Sequence, residues 1–104
     1  MEHYKIDWPF SDSRDLTSFT TTRVAFENLP VLLVTHDIEG DWQFLCGTTG
    51  EPEHCLVASL GCAVDRDPSL KDLADLPPGW RAWRDAIYSP WHREPKENEN
   101  ENEI

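Results

Sequence analysis

The sequence has no long hydrophobic run, few basic residues and only three cysteines among its 104 residues. Its longest apolar run, residues 31–34, is far too short to span a bilayer. The N-terminal stretch MEHYKIDWPF has no apolar segment of the kind found in signal peptides. Because Cys46, Cys55 and Cys62 are odd in number, a disulfide framework is not expected. These absences predict a cytoplasmic protein with free thiols.

Motifs for catalysis and cofactor binding are also missing. There is no glycine-rich phosphate loop, no serine nucleophile elbow and no His-x-x-x-His pair. The cysteines lack the close pair of a structural zinc site, and the acidic stretch 37–41 is too short for a calcium loop. His36 and Cys46 would be diagonal or more distant neighbours in a hairpin, which disfavours a nucleophile pair. We therefore expect no metal, no cofactor and no enzymatic activity.

Positive charge is scarce, since nine basic residues face twenty acidic ones and give a formal net charge of −11. Residues 94–104 contribute −4 and residues 1–93 contribute −7, so the folded part is itself acidic. This balance argues against binding a nucleic-acid backbone through a basic patch. It favours a basic protein partner, although acidity that serves solubility alone is the alternative. We expect a protein partner and neither nucleic acid nor a membrane.

The composition is that of a globular domain, with 38% hydrophobic residues, 11% aromatic residues and five tryptophans. The length suits one domain. We predict an N-terminal arm over residues 1–21, a single domain over 22–93 and a disordered tail over 94–104. The tail alternates Glu with Asn, and such a segment cannot offset the entropy lost on ordering.

A β-hairpin is the strongest local prediction. Residues 31–37 and 42–47 have strand character, and the intervening residues 38–41 include Gly40, which tolerates a tight turn. A third strand is predicted over residues 55–60, and residues 20–27 fit either a strand or a short helix. Because no helix separates the predicted strands, antiparallel pairing is expected.

The C-terminal half is predicted to be helical. Asp67 followed by Pro68 is a good N-cap and first-turn pair for a helix near residues 68–76. A second helix is predicted over residues 79–88 from an apolar stripe. The expected fold is α+β, a small antiparallel sheet with two short helices packed on one face. The predicted core is Trp42, Phe44, Val57, Leu73, Trp80, Trp83 and Ile87.

Two regions are candidate protein-binding surfaces. The first is the acidic hairpin tip, for which a solvated turn is the plain alternative. The second is the Trp- and Arg-rich segment, because these residue types are enriched at binding hot spots; burial in the core is its alternative. The candidate interface residues are Asp37, Glu39, Asp41, Arg81, Arg84 and Trp91.

Three stretches carry a family resemblance: residues 40–47, residues 60–61 followed by 65–70, and residues 73–85. They resemble a widespread group of small bacterial proteins of unknown function and, more distantly, a domain family grouped with toxin-immunity proteins. These motifs are those of strand, cap and turn, so the resemblance implies no catalytic residue. It implies a non-enzymatic protein-binding domain of the immunity type, which neutralises a cognate bacterial toxin. The alternative is a structural or thiol-dependent regulatory module that uses Cys46 or Cys62.

Overall fold

The computed structural model describes residues 8–46 and 55–95. Its fold is α+β, as predicted, with a six-stranded sheet and short helices. The strands are β1 Thr17–Thr21, β2 Leu33–His36, β3 Trp42–Leu45, β4 Cys55–Ser59, β5 Trp80–Trp83 and β6 His92–Pro95. The helices are α1 Thr22–Phe26, α2 Leu60–Arg66 and a 3₁₀ helix at Pro68–Leu73.

The sheet is mixed and larger than the small antiparallel sheet predicted from the sequence. The strand order is β4-β1-β3-β2-β5-β6, and β1 runs parallel to β3 while the other neighbours are antiparallel. The prediction of purely antiparallel pairing is wrong because α1 reverses the chain between β1 and β2. The β2–β3 turn reverses it again, so β3 returns in the direction of β1.

The predicted helix over residues 79–88 is also wrong, because β5 occupies its first part. Gly79 has a φ of +87°, and its N–H donates to the His36 carbonyl at 2.6 Å, which aligns the chain beside β2. β5 then pairs with β2 on one side and with β6 on the other. The tryptophan spacing that suggested a helix is compatible with a strand, in which Trp80 and Ala82 share one face while Arg81 and Trp83 share the other.

Several local predictions are confirmed. β2 and β3 form the antiparallel hairpin, and Cys55–Ser59 is a strand. Residues 20–27 contain both of the alternatives, since β1 ends at Thr21 and the Thr21 side chain caps α1 by accepting the Val24 N–H. Asp67 caps the 3₁₀ helix and Pro68 begins it, as the sequence indicated.

Helix α2 was not predicted from the sequence, because the strand character of residues 55–60 extends into its first residue. The Ser59 side chain accepts the Cys62 N–H and so begins the helix where the strand ends. Gly61 permits the close approach of another segment, because a Cβ at this position would lie 3.0 Å from the Arg14 side chain. The Gly61 N–H donates to the Arg14 carbonyl at 2.9 Å.

The hydrophobic core lies on one face of the sheet. It joins inward residues of the central strands with residues of all three helices, such as Val34, Phe44, Val24, Leu60 and Leu70. Of the predicted core residues, Trp42, Phe44 and Leu73 are buried and Trp80 is half-buried. The remaining three are exposed: Val57 at 68%, Trp83 at 38% and Ile87 at 42%.

Both predicted terminal segments extend beyond the described residues. Strand β1 lies within the predicted arm 1–21, of which residues 1–7 are not described. Strand β6 includes Glu94 and Pro95, the first residues of the predicted tail, while residues 96–104 are not described. No helix within residues 8–46 and 55–95 is long and apolar enough to cross a membrane.

Candidate functional site

The second face of the sheet carries apolar side chains that belong to no core cluster of the described residues. We call this the open sheet face and define it by five residues: Phe19, Leu33, Leu45, Val57 and Trp83. Val57 and Trp83 are exposed, and the other three are half-buried. None of the five is among the core residues or those packed against the core. Isolated apolar residues are ordinary at protein surfaces, whereas a contiguous group marks a candidate interface.

Strand register places these side chains together. Leu33 lies opposite Leu45 on β3 and opposite Trp83 on β5, which gives a continuous apolar row across three strands. Phe19 lies opposite Val57 on β4 and extends the group toward the other edge of the sheet. With neighbouring strands about 4.8 Å apart, six strands span roughly 24 Å. That width suits contact with another protein surface.

Strand β1 has inverted polarity, and this explains part of the open sheet face. Its inward side chains, Ser18 and Thr20, are buried, while Phe19 points to the opposite face. Each buried hydroxyl donates to a strand carbonyl: Ser18 Oγ to Ala58 O at 2.9 Å, and Thr20 Oγ1 to Phe44 O at 3.0 Å. Because both hydroxyls are satisfied, this strand can bury polar groups and present an aromatic ring outward.

The acidic hairpin tip lies at the end of the two central strands β2 and β3. The Asp37 carboxylate is used within the turn, where its Oδ1 accepts the N–H groups of Glu39 and Asp41 at 2.9 and 3.0 Å. Gly40 takes a φ of +96°, which the turn requires. Glu39 and the neighbouring Ile38 are exposed, so the tip offers both charge and apolar surface to solvent.

Arg84 lies inside the protein, with only 4% of its surface exposed. Its Nε and Nη2 donate to the Val31 carbonyl at 3.0 and 2.8 Å, and its Nη2 also approaches Asp67 Oδ2 at 3.2 Å. The guanidinium lies 4.1 Å from the ring centre of Trp91, a cation–π distance. The candidate residues Arg84 and Trp91 are thus brought together as a buried tie between segments.

Arg81 is the candidate basic residue that the fold does place at the surface. It lies on the open side of β5, paired in register with Thr35 and Glu94. Its guanidinium contacts the Glu94 carboxylate at 2.6 Å, and both side chains are 42% exposed. Beside it on the same face, the Trp83 ring stacks on His92 with ring centres 4.3 Å apart. Polar and aromatic groups therefore border the apolar row.

The residues proposed for thiol or metal chemistry are dispersed. Cys46 is buried, whereas Cys55 and Cys62 are exposed, and all three are outside disulfides. The His36 ring stacks on Trp42 at 3.8 Å between ring centres, and its Nδ1 lies 2.7 Å from the Leu76 carbonyl. Within the part of the chain that the structure describes, no three His, Cys, Asp or Glu side chains are grouped to hold a metal ion.

Comparison of the chain with protein-family models, with curated proteins and with solved structures returned no match.

Proposed function

We propose that this protein is a non-enzymatic protein-binding domain that binds its partner through the open sheet face. The observation that carries the proposal is the one-sided core. Phe19, Val57 and Trp83 lie on the face of the sheet opposite the core and belong to no core cluster of the described residues. Burying an exposed apolar side chain on association contributes favourable free energy of about 25 cal/mol per Å².

Charge supports a basic partner. The net charge of residues 1–93 is −7, and the exposed Glu39 lies at the turn that joins the two central strands. Complementary charge accelerates encounter and selects among partners, while the apolar row would supply the desolvated centre of the contact. Within this proposal, neutralising a toxin is the specific role that the family resemblance implies.

Affinity purification from the source cells tests the proposal when it compares three forms of the chain. The first is the native protein, the second is Val57→Asp, and the third is Tyr88→Asp, a control that adds the same charge outside the open sheet face and the hairpin tip. Val57 and Tyr88 are both exposed apolar residues, at 68% and 94%, so neither change removes core packing. We expect one partner that binds the purified native protein and the control at equal affinity. It should bind Val57→Asp at least tenfold more weakly, because an added carboxylate must be desolvated in the apolar contact.

Two further readouts separate the parts of the proposal. A basic partner should bind more weakly as salt rises, because exposed charges are screened. Rescue of the growth defect caused by a co-expressed partner would support the immunity role. A partner that binds Val57→Asp as tightly as the native chain would contradict the assignment of the open sheet face. Recovery of no partner in repeated experiments would contradict protein binding itself.

A further inference from the structure

A cavity of about 480 Å³ lies on the core side of the sheet, opposite the open sheet face. Its floor includes Phe44 and Ala58 from the sheet, and its walls include Val24 of α1 and Ala63 of α2. Leu70 of the 3₁₀ helix also lines the cavity. A volume of this size lies within the range of sites for small organic ligands, and apolar lining is their usual character.

One cationic group stands at the margin of this apolar space. Arg66, in the last turn of α2, lines the cavity, is exposed and donates through Nη2 to the Ala25 carbonyl of α1. A guanidinium has five N–H donors, so this contact leaves most of them available. Among the described residues, no carboxylate forms an ion pair with Arg66.

The acidic neighbours of Arg66 in the sequence are committed to other arginines. Asp65 pairs with Arg14 at 2.6 Å, and Asp67 pairs with the buried Arg84 at 3.2 Å. Asp67 Oδ1 also accepts the Ser69 N–H as the cap of the 3₁₀ helix. An incoming anion would therefore meet a guanidinium that is not already neutralised by these carboxylates.

We propose that this cavity binds a small amphipathic carboxylate, with its alkyl chain in the cavity and its carboxylate on Arg66. The apolar walls suit the alkyl chain, and the guanidinium suits a planar carboxylate through paired hydrogen bonds. The side chains of Phe26 and Ile87 are exposed and also line the cavity, so they would contact the alkyl chain of the ligand near the protein surface. The site is independent of the proposed partner contact, which uses the other face of the sheet.

Calorimetric titration with hexanoate, octanoate and decanoate, kept below their micelle concentrations, tests the proposal. Each added methylene should tighten binding about fourfold until the cavity is full, because each buries further apolar surface. Octanol is the neutral probe of matched length. It should bind about tenfold more weakly than octanoate, because it cannot form the charge-assisted pair.

Variants assign the headgroup contact. Arg66→Gln should weaken octanoate about tenfold and leave octanol unchanged, whereas Arg23→Gln should change neither. Arg23 is the matched control because it is an arginine of α1 that does not line the cavity and has no ion pair within the described residues. Ala63→Phe should fill the cavity and abolish both ligands, with thermal unfolding used to confirm that this variant is folded.

The two exposed cysteines supply a readout that does not depend on any variant. Cys62 lines the cavity, whereas Cys55 does not. Saturating decanoate should slow alkylation of Cys62 by N-ethylmaleimide several-fold and leave Cys55 unaffected, as followed by peptide mass spectrometry.

Any one of the following results would overturn the proposal. The first is the absence of binding by any of the carboxylates. The second is equal affinity for octanoate and octanol, or an unchanged octanoate affinity in Arg66→Gln. The third is equal protection of both cysteines, which indicates detergent-like adsorption. The fourth is protection of Cys62 without ligand in a dimer, which would mean that a second copy of the chain covers the cavity.

Discussion

Replacing Arg84 by methionine tests the claim that this residue ties the fold together rather than contacting a partner. The change keeps much of the aliphatic stem but removes the guanidinium that binds the Val31 carbonyl, Ser69 Oγ, the Ile87 carbonyl and Asp67. It also removes the stacking on Trp91. Breaking a buried ion pair by removing one partner costs about 3–5 kcal/mol, because the remaining polar groups lose their compensation.

That cost is large against the total stability expected for a domain of this size, roughly 5–15 kcal/mol. A loss of 3–5 kcal/mol should lower the midpoint of thermal unfolding by on the order of 15–30 °C. The free energy of unfolding is measured by urea titration, with tryptophan fluorescence as the signal.

Arg81→Met is the matched control. Arg81 is an arginine of β5, three residues before Arg84, and it also has a carboxylate partner. Its pair with Glu94 is exposed at 42% on both sides, and exposed pairs contribute about 0–1 kcal/mol. A cost for Arg84→Met that is no larger than the cost for Arg81→Met would refute the assignment of Arg84 as a buried tie. It would return Arg84 to the candidates for partner contact.

Two other predictions concern local contacts. The guanidinium of Arg93, which hydrogen-bonds Asp75 at 2.9 Å, holds the pKa of that carboxyl below its ordinary value of 3.8, so Arg93→Gln should raise this pKa in an NMR titration. Because the pKa of Asp75 is lower in the folded protein than in the unfolded chain, its ion pair with Arg93 stabilises the fold above pH 4. This stabilisation is lost as pH falls through the folded pKa of Asp75. An unchanged Asp75 titration in Arg93→Gln would contradict the role given to Arg93. Ser59→Ala should cost about 1 kcal/mol in urea unfolding by removing the cap of α2, and Ser59→Asp should restore most of it. Equal stability of all three forms would show that the cap is not needed.

The parts of the fold that were predictable from the sequence are those fixed by local chemistry. The β2–β3 hairpin depends on Gly40 and on strand-forming residues on either side of it, and the 3₁₀ helix depends on Asp67 and Pro68. Strands β1 and β6 were not predictable in this way. The partners of β1 are the strands β3 and β4, which are distant in sequence, and the partner of β6 is β5, which was predicted to be helical.

The candidate site was missed for a related reason. Val57 and Trp83 were expected in the core because they are large and apolar, and periodicity alone does not tell which face of a sheet is covered. A signal was present in β1, where Phe19 lies between Ser18 and Thr20 and therefore points to the opposite face of the strand. Interpreting it required knowing that Ser18 and Thr20 find carbonyl partners in β4 and β3.

The arrangement of the two faces makes the two proposals separable. Thr20, Phe44 and Ala58 line the cavity from the core side, while Phe19, Leu45 and Val57, their neighbours along the same strands, belong to the open sheet face. Because adjacent residues in a strand point to opposite faces, a substitution at Val57 should not fill the cavity. A substitution at Ala63 should not alter the partner contact, because Ala63 lies in α2, which packs against the core. A chain that lost both activities from either substitution alone would show coupling through the sheet, and the two faces could then no longer be treated as independent sites.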